Sequence, residues 1–143
     1  MRVCIDTNVM LSALARGSPM LPLFDAITSG RLELVVSTAI LFEYEEIAQQ
    51  QGGATFAGKL MHMIALVAQV HQTIHFAEPS FEFHTISTDT DDNKFANCAI
   101  AAHADFVITE DKHFAALANA GYKPQPITAM EFIQRYLKTN HPS

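Results

Sequence analysis

The chain has 143 residues, 49% of them hydrophobic, with six Gly, six Pro, two Cys and a formal net charge of -6 at pH 7. That suffices to bury the core of one domain, 1–143, while two cysteines are too few for a disulfide framework and no run reaches the ~18 uninterrupted apolar residues of a membrane helix. The acidic balance excludes a protein that holds nucleic acid by a broad basic surface, but not an enzyme that reaches phosphates through cations gathered by its acids.

Val3-Cys4-Ile5 reads as a short buried strand, ended by Asp6, and Asp6-Thr7-Asn8 leads into a helical pattern from Val9 to Ala15. In an open α/β sheet, sites form at the carboxyl ends of strands, which is where Asp6 falls. Asp6 also interrupts the N-terminus too early for a signal peptide, so a cytoplasmic protein is expected. Gly17-Ser18-Pro19 closes the first helix, and Leu21, Leu23, Phe24 and Ile27 suit a second, ended by Ser29-Gly30. Leu32 to Val36 is the next strand.

Ser37 or Thr38 caps a helix running to about Gln50, in which Ile40, Glu43 and Ile47 share one face. Glu43 therefore points with core residues. Glu46 aligns with Ala39 and Phe42 and stands as its substitute. The pattern breaks over Gln50 to Gly53, and a further helix from about Thr55 to Val70 carries Leu60, Ile64 and Val67. Thr73 to Phe76 is a short extended piece.

Residues 87 to 111 hold most of the chemistry. Asp89, Asp91 and Asp92 precede an Ala-rich helical pattern, and the buried strand Phe106-Val107-Ile108 leads to Thr109-Glu110-Asp111. Asp89 and Asp91 read singly as turn and capping residues. With Asp91 as N-cap, Asp92 shares a stripe with Phe95, Ala96, Ala99, Ile100 and His103. A carboxylate on an inward stripe costs several kcal/mol or more, roughly, without a positive partner. An EF-hand reading fails, because Lys94 and Ile100 stand where that loop needs Gly and Glu. A short helix over Lys112 to Ala118, a strand near Ile127 and a helix from Thr128 to about Lys138 complete the chain. The alternation implies an α/β fold with a mostly parallel central sheet sandwiched by helices.

Asp6, Glu43, Asp92 and Asp111 thus come from four elements toward one end of the sheet. Two carboxylates about 4 Å apart repel by roughly 4 kcal/mol at an effective dielectric of 20, so such a group needs protons or cations. An all-oxygen set selects Mg²⁺ or Mn²⁺, one ion or two, suited to hydrolysis of phosphodiesters by water. Thr7, Asn8, Asn93 and Thr109 are suited to hydrogen bonds that orient the carboxylates or the substrate. There is no Gly-x-Ser-x-Gly elbow, phosphate-cradling Gly-rich loop or Cys–His pair, and the histidines show no zinc spacing, so all seven are read as structural.

The segments Ile5-Asp6-Thr7-Asn8-Val9, Glu33 to Ser37 with Leu41-Phe42-Glu43-Tyr44, Asp89 to Phe95, Ala104 to Lys112 and Thr128 to Phe132 together resemble the PIN-domain ribonucleases, particularly the toxin components of toxin-antitoxin pairs. They span nearly the whole chain; Thr90 departs from a Pro frequent in that branch. The resemblance implies a PIN-like domain, Mg²⁺- or Mn²⁺-dependent endonuclease action on RNA, and a cognate antitoxin, and leaves a homo-oligomer open. It carries over Asp6, Glu43, Asp92 and Asp111 as the acids, with Glu43 against Glu46 and Asp92 against Asp91 undecided. Two other readings are a catalytically silent module whose acids cap helices or dock a basic partner, and an aspartyl-phosphate phosphatase. The latter wants a second Asp two residues after the first, where this chain has Asn8.

Overall fold

The computed structural model describes residues 1–78, 93–115, 118 and 123–138. Five short strands are β1 (Arg2–Ile5), β2 (Glu33–Val36), β3 (Ile74–Phe76), β4 (Phe106–Ile108) and β5 (Gln125–Ile127). They form one sheet in the order β3-β2-β1-β4-β5, with all four pairings parallel. The extended piece over Thr73 to Phe76 is therefore an edge strand. β1 is central, pairing through Val3 with both Leu34 and Phe106, and Val3, Cys4 and Ile5 are wholly buried. A strand covered on both faces reads as a continuous apolar run, which is why these three residues show no alternation. Cys4 and Cys98 are both buried free thiols.

The helices are α1 (Thr7–Leu14), α2 (Leu21–Thr28), α3 (Thr38–His71), α4 (Asn93–Ala101) and α5 (Ala129–Phe132), the last continuing as a π-helical turn, Ile133–Leu137. Ser37 caps α3, its hydroxyl accepting from the Ile40 amide at 3.2 Å. Thr128 does the same for α5, accepting from the Glu131 amide at 3.2 Å in a Thr-x-x-Glu arrangement. The helix expected over Lys112 to Ala118 begins as a 3₁₀ turn, Lys112–Phe114, with helical backbone at Ala115 and Ala118.

α4 differs in two ways from the single stripe the sequence suggests. Residues Phe95 to Ala99 are all buried, because the helix packs against β1, β2, β4 and α3. His103 does not extend the stripe: it is exposed and has a φ of 56°. The Ala104 amide reaches the Ala99 carbonyl at 2.8 Å and the His103 amide reaches Ile100 at 3.2 Å, a Schellman ending with His where Gly is usual.

By length and composition α3 would suffice to cross a membrane. Ile40, Tyr44, Ala48, Ala57, Leu60 and Ile64 of this helix pack on the core, 22% of its most apolar stretch is buried, and its backbone is broken at Gly53, with φ 85° and ψ 174°. The break expected over Gln50 to Gly53 is thus a single-residue kink. Only Gly adopts that conformation readily, and a side chain forced into it costs about 1–3 kcal/mol. Gly53→Ala is therefore expected to destabilise the protein in a urea melt, whereas in a continuous exposed helix the same change would stabilise it by roughly 1 kcal/mol.

Candidate active site

Because β1 is flanked by β2 on one side and β4 on the other, the strand order reverses between β1 and β4. Open α/β sheets leave a crevice at the carboxyl ends of such a pair. Asp6 follows β1 there, its amide donating to the Ile108 carbonyl at 3.0 Å and its own carbonyl starting α1 by accepting from Met10 at 2.9 Å. Its residue is only 8% exposed. Thr109, the residue after β4, donates its hydroxyl to Asp6 Oδ2 at 2.7 Å and accepts the Asp111 amide on the same oxygen at 3.0 Å.

Glu43 reaches the crevice from α3. It is half-buried, whereas Glu46, about one turn further on, is exposed. Glu43 Oε2 accepts from the Thr7 hydroxyl, and Oε1 accepts from Lys94 Nζ at 2.6 Å. The next residue, Tyr44, is wholly buried, and its hydroxyl donates to the Ile5 carbonyl. Burial, together with the nearby Cys4 and Asp6, pushes this phenol well above its ordinary range, so it stays a donor.

Burial likewise raises the protonation range of Asp6. The Thr109 hydroxyl and the Asn8 backbone amide, which lies toward the carboxylate without closing a capping bond, oppose the rise, while the charges of Glu43 and Asp111 add to it. Three of the four acids singled out in the sequence therefore share one electrostatic environment. Asp111 is half-buried at its edge. Asp89, Asp91 and Asp92 lie outside the described residues, as does the side chain of Asn93, and the Asn8 side chain is exposed.

The donor set of three carboxylates and two hydroxyls suits a hard divalent cation. Its spacing is open, since among the described residues no three His, Cys, Asp or Glu close into a set that could hold a metal ion. Lys94 and Tyr44 are neighbours of these acids that the sequence pattern alone does not single out. Lys94 carried a signal, a cation in the first turn of a helix where the dipole disfavours it. A cavity of about 460 Å³ opens beside Asp111, between Thr109, Lys112, Ile127 and Thr128. A larger one, about 630 Å³, runs along the second half of α3 past Lys59, Met63, Leu66 and Val70 and contains none of these acids.

A parallel, doubly wound sheet with carboxylates at its switch point defines the class of protein. The chain belongs to the PIN-domain family, whose model matches residues 2–113. A search of curated protein sequences gives no match. The fold is similar to VapBC2 from Rickettsia felis bound to a DNA fragment from their promoter, with a TM-score of 0.54 and 12% identity over 83% of this chain and 95% of that one. It is also similar to the PIN domain of human SMG5, with a TM-score of 0.53 and 14% identity over 95% and 99%. For VapBC-1 from nontypeable Haemophilus influenzae the TM-score is 0.53, with 14% identity over 91% and 99%.

Because the folded protein raises the Asp6 protonation range, the stability this group gives is full below the ordinary carboxylate value and is lost as pH rises through the folded one. In EDTA at pH 7, Asp6→Asn is expected to melt at or above the wild-type temperature, and the difference should close as pH falls below about 4. A variant that melts well below wild type at pH 7 would show that the carboxylate serves the fold.

Proposed function

We propose that the chain is a divalent-metal-dependent endoribonuclease that hydrolyses RNA phosphodiester bonds, and the toxin of a toxin-antitoxin pair. The observation that carries this reading is the convergence of Asp6, Glu43 and Asp111 at the β1/β4 crevice, in a chain of the PIN family. Asp6, Glu43 and Asp111 would hold Mg²⁺ or Mn²⁺, one ion or two, with Asp92 added from the sequence. The cation supplies activation of water and neutralisation of charge on the phosphate.

The chain's own part is positioning. The Thr109 hydroxyl fixes one oxygen of Asp6, Thr7 fixes one oxygen of Glu43, and burial of Asp6 keeps bulk water from screening the site. The cavity beside Asp111 gives a nucleotide room against Thr109 and Thr128. The likeness to VapBC assemblies supports an antitoxin partner, whose Arg or Lys would compete with metal in the acidic crevice. A cytoplasmic, single-domain enzyme of residues 1–143 goes with this reading.

A second reading is a catalytically silent PIN module, and it is favoured by the engagement of both Glu43 oxygens by protein donors. Incubation of a mixed RNA pool with Mn²⁺ separates the two. The nuclease is expected to leave 5′-phosphate and 3′-hydroxyl ends, to cut equally well when the 2′ position at the cut is methoxylated, and to stop in EDTA or on Asp6→Asn. A 2′,3′-cyclic phosphate, or cutting that persists in EDTA, would overturn it in favour of a histidine pair acting through the 2′-hydroxyl. Thr109→Val should lower activity by about 10- to 100-fold through loss of Asp6 orientation.

A further inference from the structure

Lys94 belongs to none of the roles above. Its backbone is fixed, because the residues after it, Phe95, Ala96, Cys98 and Ala99, are buried where α4 packs on β1, β2 and β4. Its ammonium projects from the first turn of the helix, where the dipole disfavours a cation, and lies 2.6 Å from Glu43 Oε1. The side chains of Lys94 and Glu43 are each 22% exposed, so the pair is neither sealed in the core nor dissolved in solvent.

Glu43 therefore has one oxygen on a neutral hydroxyl, Thr7, and the other on a charge. A hydroxyl can stay beside a carboxylate that takes up a cation. An ammonium at 2.6 Å competes with that cation, because like charges repel and both draw on the same carboxylate. The oxygen that Glu43 would offer to a divalent ion is the one Lys94 now holds. Once released, a four-carbon stem anchored at the crevice keeps the ammonium within reach of whatever anion enters, and the anion of a nucleic acid is its phosphate.

Resting on the nuclease reading, we propose that Lys94 is an exchangeable counter-ion: it neutralises Glu43 while the crevice lacks a divalent cation, and passes to a phosphate oxygen of the nucleic acid when Glu43 takes one. The exchange couples loading of the site to grip on the strand, so that metal-free protein holds RNA weakly at this position.

Calorimetric titration of the metal-free protein with Mn²⁺, without RNA, gives the first readout. Lys94→Met is expected to bind Mn²⁺ about fivefold more tightly than wild type, since a competitor and a like charge are gone. Lys94→Arg, which keeps the charge, and Lys59→Met, on the distant α3 groove, should stay near wild type. A merely structural loss would weaken binding rather than strengthen it. If Lys94→Met folds poorly, Lys94→Gln keeps a donor for Glu43 and is read in the same way.

The second readout is fluorescence anisotropy of a short single-stranded RNA with Ca²⁺ in place of Mn²⁺, and again in EDTA. Lys94→Met should weaken RNA binding about tenfold in Ca²⁺, with the salt slope reduced by about one, and by less than about twofold in EDTA. Unchanged or weaker Mn²⁺ binding by Lys94→Met, or equal losses of RNA affinity with and without the cation, would overturn the exchange while leaving the nuclease reading intact. Absence of Mn²⁺ uptake by the wild-type protein would overturn both.

Discussion

The hydrogen bond from Thr109 to Asp6 is the constraint on which the site rests. It spans the boundary between β1 and β4, where the sheet reverses its order, and gives a nearly buried carboxylate a donor that holds one of its oxygens. The same hydroxyl accepts the Asp111 amide, so one side chain sets the direction of one acid and the backbone position of another. Were β1 and β4 not neighbours, the two residues that follow them could not meet, and Asp6 would be a buried charge with far less to offset its desolvation.

α3 secures the opposite side of that acid. Glu43 and Tyr44 are adjacent, so the helix turns them about 100° apart. Glu43 accepts from Thr7, and Tyr44 donates to Ile5, the two residues that flank Asp6. Two bonds from neighbouring positions thus hold the turn between β1 and α1 from both sides. The Tyr44 ring also meets Phe95 of α4 at 6.5 Å between centroids, which joins the elements that carry Glu43 and Lys94.

Much of this was legible in the sequence, for local reasons. Asp6 stands out because it directly follows an apolar strand, at the carboxyl end of the sheet where sites form, and Glu43 because it recurs in phase with Ile40 and Ile47. The kink at Gly53 follows from Gly-Gly inside a helical pattern. What escaped depends on contacts between distant segments. Sequence periodicity carried α4 one residue set too far, to His103, because a left-handed ending without Gly leaves no mark in composition. The order β3-β2-β1-β4-β5, the reach of Tyr44 to Ile5 and the pairing of Lys94 with Glu43 are all tertiary facts, invisible until the strands are laid side by side.

The 103 residues that separate Asp6 from Thr109 also bear on the order of assembly. Central β1 gains its β4 neighbour only when the chain has closed that long loop, an entropic cost that puts the pairing among the slow, non-local contacts. At roughly 5 to 20 residues per second of synthesis, Asp6 waits about 5 to 20 s on the ribosome before Thr109 is even made. Early chain segments therefore hold a half-built crevice without its second wall, and the pocket is complete only once β4 and Thr109 have been synthesised.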